Sequence, residues 1–163
     1  MKKILFLSAI CAFFVLKSNT ATAQVTANSN IAVKINAITE LVADNTALVP
    51  FDFTTTSELE NGITQTSAVN LAYKSNKITK ISIHASTANF SGTSGTPMPS
   101  TVIQFRKTGG IFAALTGTTP IDFSTSQPRG TGNFNLDYKV VPGLTYDPAI
   151  DYAITVVYTL SVQ

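Results

Sequence analysis

A single histidine limits the nucleophilic and acid–base chemistry open to this chain. His84 is the only histidine among 163 residues, so a Ser-His-Asp or Cys-His site would have to use it. It shares a face of a predicted strand with Lys80 and Ser82, and that face is the more polar of the two. We interpret His84 as a surface histidine. We therefore expect no catalytic residues and a chain that is not an enzyme.

The carboxylates suggest binding more than hydrolysis. Glycoside hydrolysis needs two carboxylates at a set separation, and the nine acidic residues are scattered along the chain. Asp147 and Asp151 bracket a short segment before the last predicted strand. Their oxygens are the ligand type that calcium prefers, although the spacing does not match an EF-hand loop. The rings of Tyr146 and Phe112 could stack on a sugar, while core packing or loop anchoring is the alternative. Tyr146, Asp147 and Asp151 are the candidate binding residues.

Metal and cofactor sites have little support in the composition. A zinc site takes about four ligands, usually Cys and His, and the chain has one of each, Cys11 and His84. The glycine-containing stretch 92–97 is not followed by the Lys-Ser/Thr pair of a phosphate-binding loop. We expect no metal and no cofactor.

The first 23 residues have the pattern of a secretory signal peptide. Lys2 and Lys3 precede an apolar run over residues 4–16, and Ala21-Thr22-Ala23 gives the small residues that signal peptidase requires. The run is shorter than the roughly 20 residues that cross a bilayer. We predict cleavage between Ala23 and Gln24. The exported product would be periplasmic, cell-surface or extracellular.

Removal of the signal peptide would change the charge and the redox chemistry of the chain. The precursor has a net charge of +2. Loss of Lys2, Lys3 and Lys17 leaves eight basic residues against nine acidic ones, and Cys11 leaves as well. The mature chain would be cysteine-free, so no disulfide is expected. No basic excess favours nucleic acid, and no stable membrane span is expected.

Period-two alternation dominates the rest of the sequence and predicts β-structure. The clearest strand is 151–163, where six large apolar residues fall on one face and indicate a core strand. Other predicted strands cover 31–35, 48–53, 69–75, 78–86, 101–107, 111–115 and 134–140. Residues 91–100 and 120–133 are expected to be mobile loops. The fold prediction is all-β: residues 24–163 form one Ig-like antiparallel β-sandwich of about eight strands.

Three blocks of sequence carry a resemblance to known proteins. They are residues 48–53 with the following Asn61-Gly62, residues 71–85, and residues 142–146 with the terminal stretch 152–160. Together they resemble the Ig-like β-sandwich proteins of bacterial surfaces, a loose group with WxL-type, spore-coat-U-like and pilin-like domains. The chain has no tryptophan, so it lacks the motif that names WxL domains. It also lacks the pilin disulfide.

The resemblance implies surface attachment or structure and brings no active-site residues. The leading hypothesis is a secreted, non-enzymatic protein with a structural, adhesive or fimbria-like role at the bacterial surface. Its partners would be other surface proteins or further copies of itself. Self-association would use the N-terminal segment, residues 24–38, whose alternating Ile31, Val33 and Ile35 could pair on the sheet edge of a neighbour. The alternative is a secreted carbohydrate-binding module with a glycan ligand.

Overall fold

The fold is described from a computed structural model, which covers residues 29–44, 48–92, 96–149 and 151–163. The predicted signal peptide and its cleavage site at Ala23 and Gln24 lie outside the described residues. Contacts divide the chain into two units, residues 1–35 and 36–163. In the first unit, residues 29–35 are exposed and belong to no helix or strand. The second unit holds every helix and strand described below.

The second unit is an antiparallel β-sandwich, which confirms the predicted all-β class and the strand number. One sheet has the strand order β1-β2-β7-β4-β5 and the other has the order β6-β3-β8. Every paired register is antiparallel. The elements are β1 (Thr39–Ala43), α1 (Thr56–Asn61), β2 (Ile63–Ser75), β3 (Thr79–Ala85), a 3₁₀ turn (Ser100–Val102), β4 (Ile103–Lys107), β5 (Ala113–Ala114), β6 (Ile121–Gln127), β7 (Gly130–Val140) and β8 (Val156–Val162).

The core lies between the sheets and is built from alternate residues of the long strands. Leu71 on β2, Leu136 on β7 and Ile83 on β3 are completely buried. The rings of Phe105, Phe123 and Phe134 join strands of both sheets through edge-to-face contacts with centroid separations of 5.7 Å. Because the described strands share no disulfide, apolar packing of this kind holds the two sheets together.

Three of the sequence predictions are corrected by the structure. The sequence predicts a strand over residues 31–35, but they form no strand. It predicts a loop over 120–133, but that region contains β6 and the first residues of β7. Its Ser-, Thr- and Gly-rich composition hides the strands, since only Ile121 and Phe123 give β6 an apolar face. Conversely, residues 48–53 form no strand. The side chains of Val49, Phe51 and Phe53 pack against the core, which explains the alternation of apolar residues. The main chain of this segment forms no strand.

Helix α1 forms at the point where the chain enters β2. Thr55 caps it: the Thr55 hydroxyl accepts a hydrogen bond from the Glu58 amide, and the Glu58 carboxylate accepts one from the Thr55 amide at 2.9 Å. This reciprocal capping box satisfies amides that a helix start leaves unpaired. The hydrogen bonds from Thr54 and Thr55 also hold the pKa of Glu58 below its ordinary value. The Glu58 side chain is therefore negatively charged at neutral pH.

Candidate functional site

His84 has no hydrogen bond at Nδ1 to a carboxylate or any other group of the described residues. The residue lies half-buried on β3 opposite Val157 of β8. On the same face, Lys80 is bonded to Asp122 at 2.8 Å and Ser82 is buried. Histidine catalysis needs an adjacent nucleophile and an orienting group, and neither contacts His84 in the described part of the chain.

The sequence-predicted binding residues all lie in the connection between β7 and β8. Tyr146 is half-buried, whereas Asp147 and Asp151 are exposed. The Tyr152 hydroxyl donates to the Asp147 carbonyl at 3.1 Å, which ties the loop to itself. Within the described residues, no three His, Cys, Asp or Glu side chains converge as a metal site would require. A glycan or calcium site at these residues stays a prediction.

Of the two roles considered for Phe112, sugar stacking and loop anchoring, the contacts of its ring favour loop anchoring. The Arg106 guanidinium lies over its ring at 4.2 Å from the centroid. This cation–π contact holds the half-buried ring against β4.

Strand β8 is the most distinctive edge of the sandwich, because it ends the three-stranded sheet and its seven residues include no charge, proline or register shift. It pairs with β3 in an unbroken register from Val156 to Val162 and with no other described strand. Natural edge strands are usually shortened, bulged or given charges or proline, which prevents pairing with other chains. The β8 sequence VVYTLSV is seven residues long and has none of these features. We call the unpaired side of Val156–Val162 the β8 edge.

The other sheet edges do carry such protection. The register of β6 against β3 shifts on both sides of Ile81, which marks irregularities in the ladder. β1 has only five residues, and its Glu40 is paired with Lys74 at 3.6 Å. β5 has only two residues. The contrast singles out the β8 edge as the place where a further strand can add.

The inward-facing side chains of β8 are incompletely covered. Val156, Tyr158 and Leu160 are half-buried, although they face the same side as the fully buried Ile81 and Ile83 of β3. This side of the sandwich ends at β1 in the other sheet, whose inward residue Leu41 is also half-buried. The 151–163 stretch is therefore an edge strand beginning at Val156, and its apolar face is not completely enclosed.

A hydroxyl pair fixes β8 on the opposite sheet. Tyr138 of β7 and Tyr158 of β8 share a hydrogen bond between their hydroxyl groups. Burial raises the pKa of Tyr138 well above the ordinary range, and the neighbouring Tyr158 raises it further. Burial also raises the pKa of Tyr158, outweighing the hydrogen bond from Tyr138. Because both phenols stay protonated, the pair can hold β8 in place while its outer edge is unpaired.

In contrast to β8, the N-terminal segment has the alternating sequence of a strand but forms no strand in its described residues. Ile31, Val33 and Ile35 are 85%, 77% and 79% exposed. Closer to β1, Asn76 in the β2–β3 turn donates to the Asn36 carbonyl at 2.6 Å and accepts from the Ile38 amide at 2.8 Å. These bonds fix residues 36–38 to the sandwich. The described residues before them form no ladder.

Comparison with known proteins found similarity among solved structures. No protein-family model matches the chain, and no curated protein matches it. Among solved structures, the chain is similar to a chain in the structure of a chaperone–usher pilus, with 14% identity and a TM-score of 0.46, covering 87% of this chain and 97% of that one. The resemblance to WxL-type and spore-coat-U-like domains stays a prediction.

A search for membrane-spanning helices gave a negative result. Within the described ranges, the chain has no helix with the length and apolar character to cross a bilayer.

Proposed function

We propose that this protein is an exported, non-enzymatic structural component of a bacterial surface whose copies associate by strand addition. In this assembly, the N-terminal segment of one copy pairs with the β8 edge of another. The unprotected β8 edge carries the proposal, because a long, uncharged edge strand favours pairing with another chain. A soluble monomer with such an edge would be prone to unspecific aggregation, whereas a dedicated partner strand would complete the sheet.

The N-terminal segment has the chemistry that this partner strand needs. In an extended strand, Ile31, Val33 and Ile35 fall on one face, and Ala32 and Lys34 fall on the other. The apolar face could cover the half-buried side chains of β8 while Lys34 stays in water. Burial of three such side chains contributes about 2 kcal/mol each, before the cost of ordering the segment. Main-chain hydrogen bonds along the β8 edge would add to this and set the alignment.

Export is the first part of the proposal, and it has a direct test. The product secreted by bacteria expressing the full chain is expected to begin at Gln24, because Ala21-Thr22-Ala23 fits the signal peptidase site. N-terminal sequencing and the intact mass of the extracellular or periplasmic product would check this. Ala23→Arg should block cleavage and leave the precursor in the membrane fraction. A product that keeps residues 1–23 after export would contradict the assignment.

Self-association is tested by removing the apolar face of the N-terminal segment. We expect the chain from Gln24 to form oligomers, and I31T/V33T/I35T to weaken association by roughly 100-fold or more, since each 1.4 kcal/mol is a factor of ten. Deletion of residues 24–35 should have the same effect and leaves Asn36 and Ile38 bound to Asn76. Sedimentation velocity over a concentration series gives the measurement.

The matched control alters the opposite face of the same segment. A32T/K34T changes two residues without touching Ile31, Val33 or Ile35, so it should associate like the parent chain. Thermal unfolding of each variant verifies that the sandwich is intact. A parent chain that stays monomeric at every concentration, or a triple variant that associates as well as the control, would refute strand addition.

A further inference from the structure

Charge is segregated between the two ends of the sandwich. The registers Ser75 with Gly130 and Thr79 with Gln127 place the β2–β3 turn and the β6–β7 turn at one end. We call these two turns, residues 76–78 and 128–129, the turn end. The register of Ile63 with Val140 places α1 and the β7–β8 connection at the other end, together with the connections after β3 and before β4. We call the described residues 54–62, 86–92, 96–102, 141–149 and 151–155 the loop end.

The turn end is basic and the loop end is acidic. Lys77 and Arg129 are exposed in the two turns, which contain no Asp or Glu. The sequence of the loop end contains no Lys or Arg, and its acidic residues are Glu58, Glu60, Asp147 and Asp151.

Between the two ends, three ion pairs neutralise six charged residues of the sandwich. The other charged residues there are Asp44, Asp52, Lys107 and Lys139, whose charges cancel in sum; the Lys139 side chain lies beside Gly62 of the loop end. Lys74 lies 3.6 Å from Glu40, Lys80 lies 2.8 Å from Asp122, and Arg106 lies 2.8 Å from Asp137. The charge polarity therefore runs along the strand direction of the sandwich. A metal site does not account for the acidic end, because no three acidic side chains converge there among the described residues.

Exposed apolar side chains accompany the charges at both ends. At the turn end, Ile78 is 45% exposed and Val162 is 50% exposed; the amide of Gln163 donates to the Ile78 carbonyl at 3.0 Å, which places them side by side. An open hollow beside them is lined by Ile78, Ser126, Pro128 and Arg129. At the loop end, Leu144 is 61% exposed in the β7–β8 connection. Each end thus offers both charge and a small apolar surface.

We infer that copies of this chain stack end to end, with the turn end of one sandwich against the loop end of the next. Opposite charges attract in this arrangement, whereas two turn ends or two loop ends would repel. The contact is heterologous, so repetition extends an open chain of copies unless its rotation closes a ring. The inference rests on the proposed self-association and specifies which surfaces meet.

The attachment of the N-terminal segment fits this arrangement. Asn36 and Ile38 are bound to Asn76, which lies in the β2–β3 turn of the turn end. The chain therefore joins the sandwich at the end that would face the next copy. Strand addition and end-to-end contact would then involve the same pair of neighbours, and each would raise the effective concentration for the other.

Charge reversal at each end tests the inference. We expect K77E/R129E and E60K/D147K/D151K each to weaken association at least tenfold at about 0.15 M salt, measured by sedimentation velocity. Combining all five substitutions makes the turn end acidic and, with Glu58 kept, leaves the loop end with more basic than acidic residues. This recreates the opposite-charge contact with reversed signs and should restore association to within about threefold of the parent. Glu58 is left unchanged because it caps α1. Association of the parent should also weaken with added salt, since exposed charges are screened.

Control variants separate end contacts from net charge. T64E/N133E adds two negative charges at exposed positions on the outer face of the larger sheet and should associate like the parent chain. If it weakens association as much as K77E/R129E, or if the combined five-fold variant does not regain association, end-to-end stacking is overturned. Loss of association on deleting residues 24–35, with no effect of charge reversal, would leave strand addition standing and remove only the stacking inference.

Discussion

Replacing Asp137 with alanine is expected to destabilise the sandwich by about 3 kcal/mol, the lower end of the range for breaking a buried ion pair. Asp137 is completely buried on β7. Its carboxylate accepts hydrogen bonds from Arg106 Nε at 2.8 Å, the Thr108 hydroxyl at 2.6 Å and the Ser67 amide at 2.9 Å. The alanine variant would leave the Arg106 charge and the donors of the exposed residues Ser67 and Thr108 without this acceptor. Arg106 is 27% exposed and can reach water, which limits the loss.

The Asp137 cluster also fixes an irregularity in β2. The register of β2 against β7 shifts between Gln65 and Val69, and Ser67 has a φ of +50° within the shift. Non-glycine residues rarely adopt this backbone conformation, so the hydrogen bond from its amide to Asp137 stabilises a conformation that is otherwise unfavourable. Loss of the carboxylate should therefore loosen β2 as well as β4.

Asp122 provides a matched control for this prediction. Its carboxylate also lies 2.8 Å from a cation, Lys80 Nζ, but the two side chains are 38% and 39% exposed. Exposed pairs of this type contribute about 0–1 kcal/mol, so Asp122→Ala should have a small effect. Urea unfolding of both variants gives the comparison. Equal losses of stability would show that burial of Asp137 does not matter.

The contribution of Asp137 to the free energy of unfolding should decrease as the pH falls. Burial opposes ionisation of the carboxyl group, but the hydrogen bonds from Thr108, Ser67 and Arg106 outweigh it, so its pKa in the folded state is below the ordinary value. The stabilisation is complete above the unfolded pKa of about 4 and disappears as pH falls through the lower folded value. The free energy of unfolding of Asp137→Asn should therefore fall less steeply than that of the parent below pH 4.

Alternation in the sequence predicts which residues are buried better than it predicts which residues pair. It locates β3 and the later part of β2, whose inward residues are large and apolar. It also marks residues 48–53, where Val49, Phe51 and Phe53 face the core but the main chain joins no ladder. An alternating sequence shows that one face of a segment is buried. Whether the segment forms a strand depends also on main-chain hydrogen bonds to a partner that is distant in sequence. Short, polar edge strands such as β6 give too little contrast between faces to be recognised.

In the candidate site, too, the sequence predicts the buried faces but not the strand pairing. The apolar face of 151–163 is evident from the sequence, but its position at a sheet edge depends on which strands pair with β3. The N-terminal alternation of Ile31, Val33 and Ile35 was also visible, and the structure adds that these side chains are exposed. The polarity of charge between the turn end and the loop end could not be predicted, because it arises only when the topology brings distant turns together.

The second large effect is expected at Gly62, where one residue separates α1 from β2. Gly62 has a φ of +79°, and its amide donates to the Glu58 carbonyl at 2.8 Å. A Cβ atom there would lie 2.6 Å from the Val140 carbonyl oxygen and 2.6 Å from the Val141 side chain. With a ψ of 160°, this φ lies in a region that is essentially limited to glycine, where a side chain costs about 1–3 kcal/mol. Because the carbonyl belongs to the β7 ladder, it cannot move aside cheaply, and the overlap adds roughly 1–3 kcal/mol.

Gly62→Ala is therefore expected to destabilise the sandwich by about 3 kcal/mol, and Gly109→Ala separates the two causes. Gly109 has a similar φ of +84°, but a Cβ there meets no atom within 4 Å. Its substitution should show the conformational cost alone, about 1 kcal/mol. Urea unfolding of the two variants measures the difference, and equal losses would contradict close packing at Gly62.

A larger loss at Gly62 would indicate that the loop end depends on tight contact between the end of α1 and the end of β7. The amide of Gly143, in the next connection, donates to the Leu59 carbonyl at 2.9 Å and belongs to the same contact. The loop end, which we propose contacts a neighbouring copy, would then be held in place by the residues that lead into β2.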